Sequence, residues 1–195
     1  MSRITVRQSL GNLERDGLIV RRRAKGTRVA EPRIEADLEQ IRSFDSDMRA
    51  QGHEPVTLAY EIGVVPSEEA VARALGCGVG DSVYRLLRLR GTADRPIGWF
   101  ETHLPARLRL DLAGDYSGSL YALLENRYGA PVVLVDESLE ATGAPPELAH
   151  KLGLSAGDPV LKQVRTGYDH NRQPIEYTVV HFRGDIYRYR YRHHR

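Results

Sequence analysis

Two arginines and a serine-capped helix carry much of the binding chemistry that can be read along this chain. Arg88 and Arg90 lie two apart in "VYRLLRLRGT", a spacing that puts both guanidinium groups on one face of a strand. Two such forks converging on one point suit a carboxylate or a phosphate, although the same pair also fits a solvated strand face. In "DYSGSLYALLENRYG", Ser117 or Ser119 can cap a helix with Leu120, Leu123 and Leu124 on its buried side and Gly129 at its end. The N-terminus of that helix offers free N–H groups and a positive dipole end, an anion site once arginines are near. A serine there also serves simply as a cap. Near the start of the chain, Arg3 and Arg7 share a helix face, with Ser2, Thr5 and Gln8 around the same turns. Such a helix end can enter the major groove, where arginine forks onto guanine and hydroxyls take bases or phosphates.

Other constellations fail. "GCGVGDS" lacks the lysine of a phosphate-binding loop, and the seven histidines show no zinc-ligand spacing with Cys77. Cys77 has no adjacent histidine to make it a nucleophile. Glu101 with His103 is more simply a polar strand face than an acid/base pair. No catalytic set emerges, so no enzyme, metal or cofactor is expected.

The elements that must position these residues follow from composition and period. The 195 residues are 41 % hydrophobic and 28 % charged, which describes a globular protein without an apolar run of about 18 residues, the length a membrane span needs. A single cysteine excludes an internal disulfide and the N-terminus lacks a signal-peptide layout, so the expected location is cytoplasmic. Charge is unevenly divided. Residues 1–30 hold eight Lys/Arg against Glu14 and Asp16, a net +6 that leaves −4 for the rest of a chain whose total is +2. This asymmetry points to a polyanion-binding N-terminal segment. There Val6, Leu10 and Leu13 recur at helical spacing behind a Ser2 cap, predicting one buried face and an end at Gly17. Leu18-Ile19-Val20 and Thr27-Arg28-Val29 flank a basic turn at Arg21 to Lys25 and Gly26, as in a wing that meets phosphates or the minor groove.

Residues 31–40 are polar, with an early proline, and read as a linker. Beyond them the chain holds a duplicated unit. Ala72/Ala149, Leu75/Leu152, Gly76/Gly153, Gly80/Gly157, Asp81/Asp158, Val83/Val160 and Arg88/Arg165 lie 77 apart, and Pro96/Pro174 and Ile97/Ile175 lie 78 apart. Each copy reads as a helix ending at Leu-Gly, a Gly-Asp turn and two strands, which predicts an α+β domain with a pseudo-two-fold antiparallel sheet. "DIYRYRYRHHR" alternates strictly, placing Tyr187, Tyr189 and Tyr191 on one face of a half-buried strand.

These motifs carry a resemblance. "SRITVRQSLGNLERDGLIVRRRAKGTRVA" resembles the second half of the winged helix-turn-helix of GntR-type transcription regulators, which implies DNA contacts for Ser2, Arg3, Thr5, Arg7, Lys25 and Gly26. Ala24 stands where the family often has a glycine. "GHEPVT", "SGSLYALLENRYG", "QPIEY" and "FRGDIY" resemble the UTRA effector-binding domain of the HutC subfamily, which implies a chorismate-lyase-like fold over residues 41–195. The resemblance also implies a homodimer, operator DNA as partner, and a small anionic effector touching Thr57, Arg88, Arg90, Ser119, Tyr121 and Glu176. Phe100 stands where the family often has glutamate, with Glu101 one position later, and Phe182 where it has tyrosine. Those departures argue against a sugar-like ligand; Trp99 and Phe100 suggest a flatter or more apolar one. The family pattern has two helices before the recognition helix, so a truncated gene model is expected. The function implied is a ligand-responsive repressor, the alternative a stand-alone small-molecule-binding domain without DNA binding.

Overall fold

The computed structural model describes residues 2–15, 18–22, 26–29, 33–37 and 40–191. Two compact units divide the chain, residues 1–33 and 34–195. Lys25, expected to touch DNA, and Gly17, expected to end the first helix, lie outside the described residues.

In the first unit, helix α1 (Arg3–Arg15) is followed by β1 (Ile19–Arg22) and β2 (Gly26–Val29), paired antiparallel with Ile19 opposite Val29. The Ser2 hydroxyl accepts the Ile4 N–H at 3.2 Å, so the expected cap is formed. The expected buried face is not. None of the described α1 residues is buried, and Val6 and Leu13 remain 41 % and 37 % exposed. Among its described residues the unit sets beside the helix only a hairpin of two four-residue strands, too narrow to cover an apolar stripe about 100° wide.

The second unit is built on a six-stranded antiparallel sheet ordered β4-β5-β6-β9-β8-β7. Its strands are β4 (Val56–Pro66), β5 (Ser82–Thr92), β6 (Arg95–Pro105), β7 (Leu134–Gly143), β8 (Pro159–Tyr168) and β9 (Pro174–Arg183). Helices α3 (Glu69–Leu75) and α5 (Pro146–Leu152) follow β4 and β7, each closed by a left-handed glycine, Gly76 or Gly153. The first half, β4-α3-β5-β6, therefore repeats as β7-α5-β8-β9, and the sheet order reads the same from either edge. Even the irregularities match: the pairing shifts between Arg90 and Gly91 in one copy and between Gly167 and Tyr168 in the other. The sequence duplication is thus a structural one.

Each copy is preceded by a further helix, α2 (Phe44–Ala50) or α4 (Leu120–Tyr128). Strand alternation splits the apolar residues between two faces. On one, α3 covers Val83 and Tyr177 while α5 covers Val160, Leu89 and Trp99. On the other, α4 buries Leu120 and Leu124 against Leu86 and Leu104, and α2 buries Phe44 and Met48 against Phe100, Val180 and Phe182. Trp99, which suggested an apolar ligand, therefore faces α5 with Lys151 Nζ 4.1 Å from its ring centroid.

Residues 34–37, expected within a linker, form strand β3 (Ile34–Asp37), parallel to β10 (Tyr187–Arg190). Ile34 and Ala36 are buried in the α2 cluster, so two apolar side chains in a polar stretch anchor the strand against β10. Glu35 pairs with Arg188 and with Arg190, which explains the outward arginine face of β10. Among the described residues no helix is long and apolar enough to cross a membrane, and no group of side chains could hold a metal ion.

Candidate functional site

Between α2, α4 and the sheet lies a polar cavity. Its floor follows from register. Arg88, Phe100, Val180 and Gln163 stand in one cross-strand row, and Leu86, Thr102, Thr178, Arg165 and Glu137 in the next. Residues directly opposite on adjacent strands share a face, so side chains 75 or more positions apart meet here without any local signal joining them.

Arg90 is buried at 2 % exposure and is already engaged. Its Nη atoms donate to the two Asp45 oxygens at 2.6 and 2.8 Å, and its guanidinium carbon lies 5.0 Å from the Phe44 ring centroid. Asp45 sits in the first turn of α2, whose Ser43 cap accepts the Ser46 N–H. Burial works to raise the Asp45 carboxyl, but the Arg90 hydrogen bonds and the charges of Arg90, Arg88 and Arg49 outweigh it and hold it below its ordinary value. The expected free Arg88/Arg90 pair is thus one free guanidinium beside a neutralised one.

Arg88 is the free member. It is 4 % exposed, Nη1 donates to the Gly118 carbonyl at 3.1 Å, and Nε has no partner. No carboxylate within 4.0 Å pairs with it among the described residues. Burial, then repulsion from Arg90, pushes it down to about 9. A buried cation this poorly compensated has the chemistry to pair with an anion.

Across the floor, Tyr121 of α4 donates to Glu176 Oε1 at 2.5 Å and accepts from Arg165 Nη1 at 2.9 Å. Thr178 donates to Glu176 Oε2 at 2.8 Å, and Arg165 Nε lies 2.6 Å from Glu137. Burial and the Glu176 charge raise Tyr121 well above its usual range, so it stays a donor. Burial opposes the charge of Arg165, yet Tyr121, Glu176 and Glu137 raise it on balance.

Of the six residues expected at an effector site, Arg88, Arg90, Tyr121 and Glu176 line the cavity. Thr57 and Ser119 do not. The Thr57 hydroxyl donates to the Ser117 carbonyl at 2.6 Å, and Ser119, not Ser117, caps α4 by accepting the Ala122 N–H at 3.4 Å. Both therefore fasten the loop that Arg88 also holds. Phe100 and Phe182 line the cavity beside Phe44. Glu101 and His103 lie 3.7 Å apart on the opposite strand face. Sequence reasoning missed Arg165, although its repeat relation to Arg88 marked it; it placed Tyr189 on a strand face but not at a site, and it missed Asp45 and Gln163, which no spacing singled out. The space left inside is about 40 Å³, enough for a few waters, whereas small-molecule sites run to about 300–1,000 Å³. An organic ligand of ordinary size needs more room than this, from rearranged side chains or from movement of α2, α4 or the 117–119 loop.

The family model described as UTRA domain matches residues 50–188. The HTH-type transcriptional repressor NagR of Bacillus subtilis is 34 % identical over 188 residues, 96 % of this chain and 77 % of that protein. The crystal structure of PhnF from Mycobacterium smegmatis superimposes with a TM-score of 0.77 at 30 % identity, covering 100 % of this chain and 86 % of that one. The effector domain of PhnF gives 0.73 at 27 % identity, covering 83 % of this chain and 100 % of that one.

Proposed function

This chain belongs to the UTRA family of transcription regulators, and from that premise we propose that it is a ligand-responsive DNA-binding repressor. A small effector enters the cavity under α2 and α4 and shifts the equilibrium between two arrangements of a homodimer, in which the N-terminal units read operator half-sites. One observation carries the reading: Arg88 is buried, lines the cavity and lacks a carboxylate partner among the described residues. Asp45 and Glu176 act on it only at a distance, and among the described residues it forms no ion pair that an anionic group would have to displace.

The small space supports coupling. Where ligand binding displaces an element around the cavity, the effector favours an open over a closed form, the requirement for any ligand-driven shift. The DNA-reading residues are Ser2, Arg3, Thr5 and Arg7 at the start of α1, all exposed, with Lys25 and Gly26 against phosphates. Such work places the protein in the cytoplasm.

The test is an electrophoretic shift on the DNA flanking the gene, with and without compounds selected by thermal shift from amino acids, small carboxylates and phosphate esters. The wild-type complex should be released by the selected compound. Arg88→Met should bind the same DNA and ignore that compound. Release of the Arg88→Met complex at the wild-type concentration would refute the role of Arg88, and no shift with ligand binding retained would leave a small-molecule-binding domain without DNA binding.

A further inference from the structure

Resting on that ligand-binding reading, we propose that Asp45 sets the charge of the effector: the site takes a small amphoteric molecule, one carboxylate plus one ammonium or similar cationic donor, and rejects phosphate dianions. The observation is the balance of charge. Three arginines line the cavity, but so do three acids, Asp45, Asp47 and Glu176, all less than 9 % exposed. Behind them Glu137 pairs with Arg165 at 2.6 Å. The lining is formally neutral, so a ligand of two negative charges meets no surplus of positive charge.

Asp45 decides this balance because of where it sits. Its two oxygens take both Nη atoms of Arg90, closing the bidentate fork that would otherwise grip a phosphate or a second carboxylate oxygen. Arg88 alone remains to meet an anion, and both Asp45 and Glu176 act on it electrostatically. A single carboxylate satisfies one guanidinium. A phosphate dianion would bring its second charge beside two buried carboxylates, and like charges in a dry site repel strongly.

Glu176 is the complementary half. It is 2 % exposed and receives only hydroxyl donors, from Tyr121 and Thr178, with no cation within 4.0 Å among the described residues. Each carboxylate oxygen accepts two hydrogen bonds, so room remains for a cationic donor. Arg88 with Glu176 therefore presents one buried positive and one buried negative group to the same cavity, the pattern that a zwitterion fits.

Asp45→Asn keeps the size of the side chain and an acceptor for Arg90 while removing the charge. Calorimetry on the full chain compares inorganic phosphate, the twenty amino acids and their N-acetyl counterparts, which keep the carboxylate and lose the ammonium. Wild type should bind at least one amino acid about tenfold or more tightly than its N-acetyl form and show no phosphate heat. Asp45→Asn should gain phosphate affinity by about tenfold or more, with a melting temperature that rises with phosphate concentration. Phosphate binding to wild type as tight as to Asp45→Asn overturns the assignment of charge; if Arg88→Met then abolishes it, the ligand-binding reading survives. Failure of every probe on every form overturns both. Should Asp45→Asn not fold, the wild-type comparison of amino acid, N-acetyl form and phosphate decides.

Discussion

Arg90→Met probes whether the Arg90–Asp45 pair holds α2 on the sheet. The side chains are 2 % and 5 % exposed, joined by contacts of 2.6 and 2.8 Å. Methionine replaces the aliphatic stem of Arg90 but strands the Asp45 carboxylate without either donor. Breaking a buried pair from one side costs about 3–5 kcal/mol, because a charge is left unpaired away from water. At about 2–4 °C per kcal/mol for a chain of this size, the melting temperature at pH 7 should fall by about 6–20 °C. Helix α2 has only seven residues, too few to persist undocked, so its circular-dichroism contribution should vanish in the same transition. Removing both charges, Asp45→Leu with Arg90→Met, should recover most of the loss, since a packed apolar pair often equals a buried ionic one. Acid pH gives a second check. The folded Asp45 carboxyl is held below 3.8, so the pair's contribution is complete above that value and is lost as pH falls through the lowered one. A single-variant loss under about 1 kcal/mol, or a double variant no better than the single one, would refute the reasoning.

Arg88→Met should leave stability unchanged or raise it by about 1–3 kcal/mol in urea denaturation, because it removes a buried cation with an unpartnered Nε. Gly167→Ala would place a Cβ 2.9 Å from Glu176 Cγ and 2.9 Å from Val132 Cγ1; the displaced Glu176 should weaken effector binding in calorimetry, with a stability loss of about 1–3 kcal/mol. His103 and His181 are lowered below 6.5, chiefly by burial. The unfolded chain then binds more protons, so stability should fall as pH drops below 6.5, and replacing both by asparagine should flatten that limb in thermal melts.

The duplicated unit was legible because it repeats as sequence, and the sheet, the Leu-Gly helix ends and a serine cap at 117 or 119 all follow from period and turn chemistry, the structure choosing Ser119. The Tyr/Arg alternation likewise read as a half-buried strand over Tyr187–Arg190, although Tyr191, expected on the same face, lies beyond β10 and is 58 % exposed. Strand β3 was hidden by the polarity of its surroundings: Ile34 and Ala36 become a strand only because β10, more than 150 residues later, supplies a pairing edge. Recognising Arg88 and Arg90 as neighbours on one face required only the two-residue pitch of a strand. Their unequal fates did not follow from that pitch.

What the sequence by itself determined is the set of local decisions, since helix period, strand alternation, caps and turn glycines depend on residues a few positions apart. It also carried the family pattern. Tertiary structure alone decided the site: which arginine is neutralised, that Arg165 crosses to Tyr121 and Glu137, and that Trp99 faces away. Those outcomes depend on charge and burial among side chains brought together by register, as with Asp45 and Arg90, 45 residues apart, and the energy of a buried charge depends on partners that no local window contains.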